Sequence, residues 1–430
     1  MTCFVSTMVK MNLSTPLKVL LVEQVVNNSV NGKKRKADDR DDAAQWLLLF
    51  AAAILVCTRA NPFRDYIDAV GRMRRCRKLP RCALVEPHLS AWQRLCGSGH
   101  DGALITVTGH DHTAFKSLLS IFTPLFNMCS PWTGQNDGAT YKPIKNLLTG
   151  RPRKINAAAC LGLVLAWHRF KGSEFILQGW FGFTGTPINV WLRFGRRMLL
   201  KALHKNNKAR VRMPTVDKIQ EYKDTIQRRH PSLKNVHCVA DGLKLPFQST
   251  EVDDVQGQFF NGWTHGHYIT NLFVFAPDGR LIICLINAPG SAHDSTLAEW
   301  GGIYEKLEAI YNQTGGVCCL DSAFQANKAD YLIKSSNDEG NTDSPEQCVV
   351  NVQATQLRQA AEWGMYAIQS AFPRLTEALK YEECGKERRV YLMLMCLLYN
   401  FRLETVGLNQ IRNVYVPEWS KDAEYIISSS

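Results

Sequence analysis

Residues Val236 to Gly242 read Val-His-Cys-Val-Ala-Asp-Gly, an apolar run that ends in an aspartate and a glycine. An unbroken run of β-branched and small apolar residues predicts a buried β-strand. A second run of this kind, Val317 to Leu320, is followed directly by Asp321. A carboxylate at the end of a buried strand costs free energy unless it is paired, hydrogen-bonded or bound to a metal. The two aspartates, Asp241 and Asp321, therefore indicate a polar site where these strands end.

Two further acidic residues extend this pattern. Asp294 follows an apolar strand through the sequence Asn-Ala-Pro-Gly-Ser-Ala-His, and Glu362 lies inside a segment with helical character. Magnesium prefers oxygen ligands and takes one or two carboxylates together with substrate phosphate. Two such ions about 3.5–4 Å apart stabilise the attacking and the leaving oxygen of a phosphoryl displacement. Strand-end carboxylates with a helical glutamate are consistent with that chemistry.

The order of these motifs resembles Harbinger-type DDE transposases and the nucleases derived from them. The resemblance covers roughly residues 235–403. It depends on Asp241-Gly242, the Pro-Gly-Ser-x-x-Asp-Ser run that ends at Ser295, Leu320 to Phe324, Arg358-x-x-x-Glu362, and a closing helix that ends Leu-Tyr-Asn at Asn400. In that family the closing helix usually ends Leu-His-Asn, so Tyr399 is a departure. Leu243 is another, because a small polar residue usually follows Asp-Gly there.

The resemblance implies an α/β, RNase H-like catalytic domain. It implies that Asp241, Asp294, Asp321 and Glu362 are metal ligands for Mg²⁺ (or Mn²⁺), and that Asp241, Asp321 and Glu362 are catalytic. Each residue also has a simpler interpretation. Asp-Gly is a common turn, Asp294 could cap the helix that follows it, and Glu362 could form a surface salt bridge with Arg358 one helical turn away.

The charge of the chain points to a polyanionic partner. There are 51 Lys and Arg residues against 39 Asp and Glu residues, a formal net charge of +12. Such a balance favours DNA through counterion release, although many basic proteins never bind nucleic acid. Residues 156–170, 174–182 and 186–203 read as three helices with a glycine-containing turn before the third, a helix-turn-helix outline. The third helix carries a basic side, which predicts DNA contacts by Arg193, Arg196, Arg197 and Lys201. The alternative is a packed bundle without groove contact.

The remaining patterns divide the chain into five regions. These are a disordered basic tail (1–44), a helical N-terminal region (45–150), the helix-turn-helix-like region with a linker helix (151–232), the RNase H-like nuclease domain (233–405) and a C-terminal tail (406–430). The run Lys33–Lys36 is either a nuclear-import signal or a solvated tail, and with DNA as partner it predicts the nucleus. The apolar run from Trp46 to Cys57 is shorter than the ~20 residues that a membrane helix needs, so no membrane association is expected.

Within the nuclease domain the pattern predicts antiparallel strands at 268–276 and 280–286, joined by a Pro-Asp-Gly turn. A helix at 297–311, a strand at 317–320, a polar loop at 334–346, and helices at 352–372 and 386–403 follow. The function predicted from these features is a divalent-metal-dependent DNA endonuclease or transposase-like phosphoryl transferase. A catalytically inactive, domesticated DNA-binding or adaptor protein is the alternative, and a phosphohydrolase of small phosphoesters is a third class. A separate DNA-binding partner protein and a homo-oligomer both stay open.

Overall fold

The computed structural model describes residues 79–134, 141–143, 153–249, 253–321, 323–324, 329–334, 344–380, 385–407 and 409–416. From Pro80 onward the chain forms one compact unit. The predicted basic tail, the run Lys33–Lys36, the apolar run at 46–57 and most of the predicted polar loop at 334–346 lie outside the described residues. Among the residues that are described, no helix combines the length and the apolar character needed to cross a bilayer.

Helices dominate the described chain before the main sheet. They are α1 (Ala91–Gly97), α2 (Asp101–Thr108), α3 (His112–Met128), α4 (Ala157–Arg169), α5 (Phe175–Phe181), α6 (Gly185–His204) and α7 (Val216–Arg229). An antiparallel pair, β1 (Cys129–Gly134) and β2 (Tyr141–Pro143), interrupts them. This pair corrects the expectation of an all-helical region. Helix α3 tolerates Pro124 in its interior and ends at Met128, where Cys129 adopts an extended conformation.

The three helices expected at 156–203 are present as α4, α5 and α6. Asn156 begins α4, because its side chain accepts a hydrogen bond from the Ala159 N–H at 2.7 Å and so satisfies a free amide of the first turn. Helices α4 and α6 cross closely at Gly195, where a Cβ would lie 2.6 Å from Val164 Cγ2. Most residues in the middle of α6, from Trp191 to Leu199, are buried in the bundle.

The main sheet has six strands in the described residues. They are β3 (Val236–Pro246), β4 (Phe260–Asn261), β5 (Gly266–Phe275), β6 (Leu281–Pro289), β7 (Val317–Leu320) and β8 (Leu332–Lys334). The order is β6–β5–β3–β7–β8, and the short β4 pairs with the start of β5. Strands β6, β5 and β3 are antiparallel neighbours, whereas β7 runs parallel to β3 and β8 runs parallel to β7. The predicted turn between β5 and β6 is confirmed, with Gly279 at φ +85°.

Six α-helices and a short 3-10 helix (Pro373–Thr376) follow β3 in the described chain, and two of the α-helices correct the sequence interpretation. The α-helices are α8 (Asp253–Phe259), α9 (Asp294–Trp300), α10 (Ile303–Thr314), α11 (Pro345–Ala371), α12 (Gly385–Val406) and α13 (Gln410–Tyr415). The single helix expected at 297–311 is two helices, α9 and α10. The chain breaks at Gly301-Gly302 because Gly302 adopts a left-handed conformation with φ +63°, which glycine accepts without steric cost.

The sheet separates two apolar layers. Successive side chains of a strand point to opposite faces, so Cys319 packs against α11, where its thiol lies 3.6 Å from the Ala354 carbonyl oxygen. Cys318 belongs to the other layer together with Leu297 and Leu307 of α9 and α10. Helix α11 approaches the sheet closely at Gly364, where a Cβ would lie 2.8 Å from the Phe275 ring.

Helix α12 holds the first residue of strand β6. The Asn400 side chain accepts a hydrogen bond from the Leu281 N–H at 2.9 Å and donates to the Leu281 carbonyl at 2.9 Å. The departure at Tyr399 has a structural role, since its hydroxyl donates to the Gly279 carbonyl at 3.0 Å. The Asn409 side chain donates in turn to this hydroxyl at 2.8 Å. Both residues of the closing motif therefore fix the turn between β5 and β6.

Candidate active site

The sheet register brings Asp241 and Asp321 side by side. Ala240 of β3 pairs with Leu320 of β7 in the parallel ladder, and each is followed by its aspartate. Neighbouring strands lie about 4.8 Å apart, so the two carboxylates leave adjacent strands at the same level. Both follow residues that alternate between the two layers, and both project to the face covered by α11. The sequence predicted this meeting of strand ends.

Burial makes the Asp241 carboxylate costly to ionise. Desolvation is the main cause that raises the pKa of Asp241 to about 6, and the negative charges of Asp321 and Asp294 raise it further. The Gly242 N–H donates to Asp241 Oδ1 at 2.7 Å and lowers the pKa, as does the positive charge of Arg358. A raised pKa that results from burial and from neighbouring carboxylates is typical of functional sites.

Arg358 connects two of the predicted catalytic residues. Its Nη1 lies 3.6 Å from Asp321 Oδ1, and its Nη2 lies 3.0 Å from Glu362 Oε1. Both Arg358 and Glu362 lie on α11, one helical turn apart, and the Glu362 side chain is half exposed. The salt bridge expected as the simpler interpretation of Glu362 is therefore present. The additional contact with Asp321 was not predicted, and it links the helix to the end of β7.

Asp294 reaches this region from the other face of the sheet. A Cβ on Gly242 would lie 2.7 Å from Asp294 Oδ2, and the Gly242 position faces away from the Asp241 side chain. Burial raises the pKa of Asp294, and the nearby charge of Lys244 opposes that effect. The N-cap of α9 is His293, and Asp294 is the first helical residue. The structure thus places Asp241 next to Asp321, and Arg358 connects Asp321 to Glu362. The Asp294 carboxylate lies on the Gly242 side of β3.

The donor set fits a hard divalent cation in its chemistry. Carboxylate oxygens are the ligands that Mg²⁺ and Mn²⁺ prefer, and the mutual repulsion recorded at Asp241 is what a cation would relieve. In the described part of the chain, however, no group of three or more His, Cys, Asp or Glu side chains is gathered closely enough to hold a metal ion. The Arg358 guanidinium contacts both Asp321 and Glu362 in place of a cation.

The predicted DNA-contacting residues of α6 divide into two groups. Arg193 and Lys201 are exposed. Arg196 and Arg197 are buried, with exposed fractions of 5% and 8%. The Arg196 guanidinium lies 3.5 Å from the centre of the Trp167 ring, and Arg197 forms an ion pair with Glu387 of α12. This placement corrects the expectation for Arg196 and Arg197, since neither presents its charge to solvent.

Lys244 is a cation near the site that the sequence interpretation did not single out. It lies on β3 on the same face as Gly242, two residues away, and its charge acts on Asp294. The period-two spacing from Gly242 is the signal that could have identified it. The sequence alone does not show that the loop before Asp294 returns to the Gly242 face of β3, which is what brings Asp294 near Lys244.

The comparison with known families agrees with this geometry. Residues 240–400 match the family model described as DDE superfamily endonuclease. The match begins at the residue before Asp241 and ends at Asn400, and it confirms the transposase-derived DDE nuclease family predicted for this region. DDE endonuclease domains generally use divalent metals and act on DNA. No curated protein and no solved structure matches the chain.

Proposed function

We propose that the protein is a divalent-metal-dependent DNA endonuclease of the transposase type, with an RNase H-like catalytic domain. The observation that carries the proposal is the pairing of Ala240 with Leu320, which brings Asp241 and Asp321 together at the ends of neighbouring parallel strands. A three-stranded antiparallel half joined to a parallel half, with a carboxylate on the central strand, supports the RNase H-like assignment.

In this proposal Asp241, Asp321 and Glu362 hold Mg²⁺ (or Mn²⁺). Such an ion, when bound, lowers the pKa of an attacking water or hydroxyl and stabilises the leaving oxygen. Asp241 and Asp321 supply negative charge from a rigid sheet. Glu362 lies on α11 in contact with Arg358, and its carboxylate would be the third ligand. Asp294 lies on the Gly242 side of β3 and is proposed as a ligand only through the family resemblance.

DNA is the proposed substrate, and the nucleus is the proposed location. Arg193 and Lys201 are exposed on α6 and are proposed to contact phosphates, since phosphate contacts position a protein on DNA without reading its sequence. Of the DNA contacts that the helix-turn-helix interpretation predicted for α6, only those of the exposed Arg193 and Lys201 remain part of the proposal. A separate DNA-binding partner protein is a proposal that rests on the family resemblance alone.

Nicking of supercoiled duplex DNA by the purified chain tests the proposal. We expect cleavage with Mg²⁺ or Mn²⁺, none after chelation, and loss of cleavage in Asp321→Asn with DNA affinity retained. The matched control is Asp330→Asn, which neutralises an exposed aspartate downstream of β7. DNA binding without cleavage under every condition would favour the inactive adaptor. Turnover of a small phosphoester without a steep salt dependence of DNA binding would favour the phosphohydrolase.

A further inference from the structure

Trp263 is the most exposed large apolar side chain in the described residues, with an exposed fraction of 90%. It lies in the turn that joins β4 to β5, between Asn261 and Gly266. A tryptophan has more apolar surface than most side chains and is usually largely buried. An indole held almost fully in solvent at the tip of a hairpin is therefore a feature that folding alone does not explain.

The turn that carries Trp263 is fixed by hydrogen bonds. Asn261 is buried, and its Oδ1 accepts from the Thr264 N–H and from the Thr264 hydroxyl, both at 3.0 Å. The Asn261 side-chain amide donates to the Gly290 carbonyl at 2.8 Å. The indole is consequently presented from a built turn, which reduces the entropy lost when a ligand stacks on it.

The same contacts join the turn to the loop that precedes Asp294. Gly290 lies so close to the hairpin that a Cβ there would be 2.1 Å from the Tyr268 carbonyl oxygen. Ser291 donates to the Gln258 carbonyl through its hydroxyl at 2.8 Å. The Pro-Gly-Ser motif thus docks the loop leading to Asp294 onto the base of the Trp263 hairpin.

The hairpin extends the sheet beyond the carboxylates. Asp241 of β3 pairs with Phe273 of β5, and the ladder continues to the pair Pro246 and Tyr268. Gly266, where β5 begins, is seven residues before Phe273, so it lies at most about 23 Å from the Asp241 level at ~3.3 Å per residue. Lys244 lies between the two positions on β3. A polyanion that reaches Asp241 from the hairpin end of this ladder therefore passes the indole first, and Lys244 adds positive charge on the Gly242 face of β3.

We propose that Trp263, three residues beyond Gly266, stacks on an unpaired nucleobase of the DNA substrate. Ten residues from Trp263 to Phe273 span at most ~33 Å, so the base lies within about ten nucleotides of the cleaved phosphodiester at ~3.4 Å per nucleotide. The inference rests on the proposed function for the identity of the polymer. Base stacking on aromatic side chains tolerates any sequence, because every base has a π-face. Paired bases inside a duplex are already stacked, so the ligand is a base that is flipped out or lies in a single-stranded flank.

Binding without cleavage tests this inference separately from the nuclease proposal. The probe is a mixed-sequence single-stranded oligonucleotide with 2-aminopurine, compared with its fully paired duplex, in the absence of divalent ions. Trp263→Ala is expected to weaken single-strand binding by about five- to 150-fold and to leave duplex binding nearly unchanged. The wild-type chain should quench the 2-aminopurine fluorescence, and Trp263→Phe should retain most of the affinity.

Trp300→Ala is the matched control, because Trp300 is also exposed, at 72%, but lies at the end of α9. Single-strand affinity unchanged in Trp263→Ala, an equal loss in Trp300→Ala, or an equal loss on duplex and single strand would each overturn the inference. So would a wild-type chain that does not bind the single strand. Failure of the nuclease proposal alone would appear differently, as stacking on DNA with no cleavage when Mg²⁺ is added.

Discussion

At the scale of single residues, Asp241 is a buried carboxyl group whose ionisation is unfavourable in the folded protein. Its pKa of about 6 lies above the ordinary value of 3.8, so the folded protein prefers the neutral acid. Stability from this group is fully present below pH 3.8 and is lost as the pH rises through about 6. Ionisation of Asp241 in the folded chain therefore opposes folding at neutral pH.

Asp241→Asn tests whether ionisation of Asp241 destabilises the folded protein. We expect the variant to melt at a higher temperature than the wild type at pH 7.5 without divalent ions, because the amide removes a buried charge. The gain should be much smaller at pH 4.5, where Asp241 is protonated in the folded chain, and should vanish only below pH 3.8. Thermal unfolding at the two pH values measures the effect, and Asp330→Asn serves as the exposed control. A lower melting temperature at pH 7.5 would contradict the desolvation argument.

Arg358 is expected to compete with cations for the carboxylates. Arg358→Gln removes the charge that contacts Asp321 and Glu362, so Mn²⁺ should bind the variant about 1.4- to fivefold more tightly, the range that 0.2–1 kcal/mol ion pairs give. The pKa of Asp241 should rise further, since Arg358 lowers it in the wild type. Titration calorimetry with Mn²⁺ measures the affinity. Arg389→Gln, an exposed arginine on α12, is the control, and weaker Mn²⁺ binding in Arg358→Gln would show that the guanidinium supports the site.

Sequence reasoning placed Asp241 and Asp321 at the ends of apolar strands, because the apolar run before each of them is a local pattern. Sequence reasoning did not give the parallel pairing of these strands, which joins segments far apart in the chain. It failed at Arg196 and Arg197, because a basic helix side looks the same whether it faces solvent or a neighbouring helix. The aromatic ring of Trp167 and the carboxylate of Glu387 that receive these arginines are far away in sequence.

At the scale of elements, Gly242 of β3 lies directly against the Asp294 carboxylate at the start of α9. Gly242→Ala places a methyl group 2.7 Å from Asp294 Oδ2, so Asp294 or the helix must move. We expect a loss of stability of about 1–3 kcal/mol, the usual cost of overpacking, together with reduced cleavage. Chemical denaturation and the nicking assay measure both effects. Gly179→Ala is the matched control, because nothing lies within 4 Å of a Cβ there, and equal behaviour of the two variants would contradict the close approach.

For the helices and strands, the sequence predicted the type of secondary structure better than its boundaries. Long periodic segments such as α4, α11 and α12 have the expected type, since their patterns repeat over several turns. The prediction of one helix at 297–311 was wrong. The apolar spacing continues across Gly301-Gly302, but the helical backbone is interrupted there by the left-handed conformation of Gly302. Strand β8 is only Leu332 to Lys334, and three residues are too few for a period-two pattern to be distinguished.

At the scale of the whole molecule, the described core runs across the predicted boundary between residues 232 and 233. One apolar cluster includes Phe194 of α6, Phe275 of β5 and Tyr391 of α12. Arg169 of α4 donates to the Ala371 carbonyl of α11 at 3.1 Å. The five-region division stays a prediction, but the helical region from Pro80 and the sheet share a core that neither completes alone.

A shared core predicts cooperative opening. Phe194→Ala, at a fully buried position, should destabilise the protein by about 3–5 kcal/mol, and the amides of β3 and β5 should lose protection together with those of α4. Hydrogen exchange followed by mass spectrometry measures each segment. Phe175→Ala is the control, since Phe175 is exposed on α5. Retained protection of the sheet beside an unprotected α4 would mean that the two parts unfold independently.

The most direct test of the central claim, a cation site built by carboxylates from neighbouring strands, is the affinity of Mn²⁺ measured by electron paramagnetic resonance. The wild-type chain should bind Mn²⁺, and Asp241→Asn and Asp321→Asn should each weaken that binding by at least about tenfold, because each removes a charged oxygen ligand. Asp330→Asn should bind like the wild type. Equal Mn²⁺ affinity in all four proteins would contradict the account.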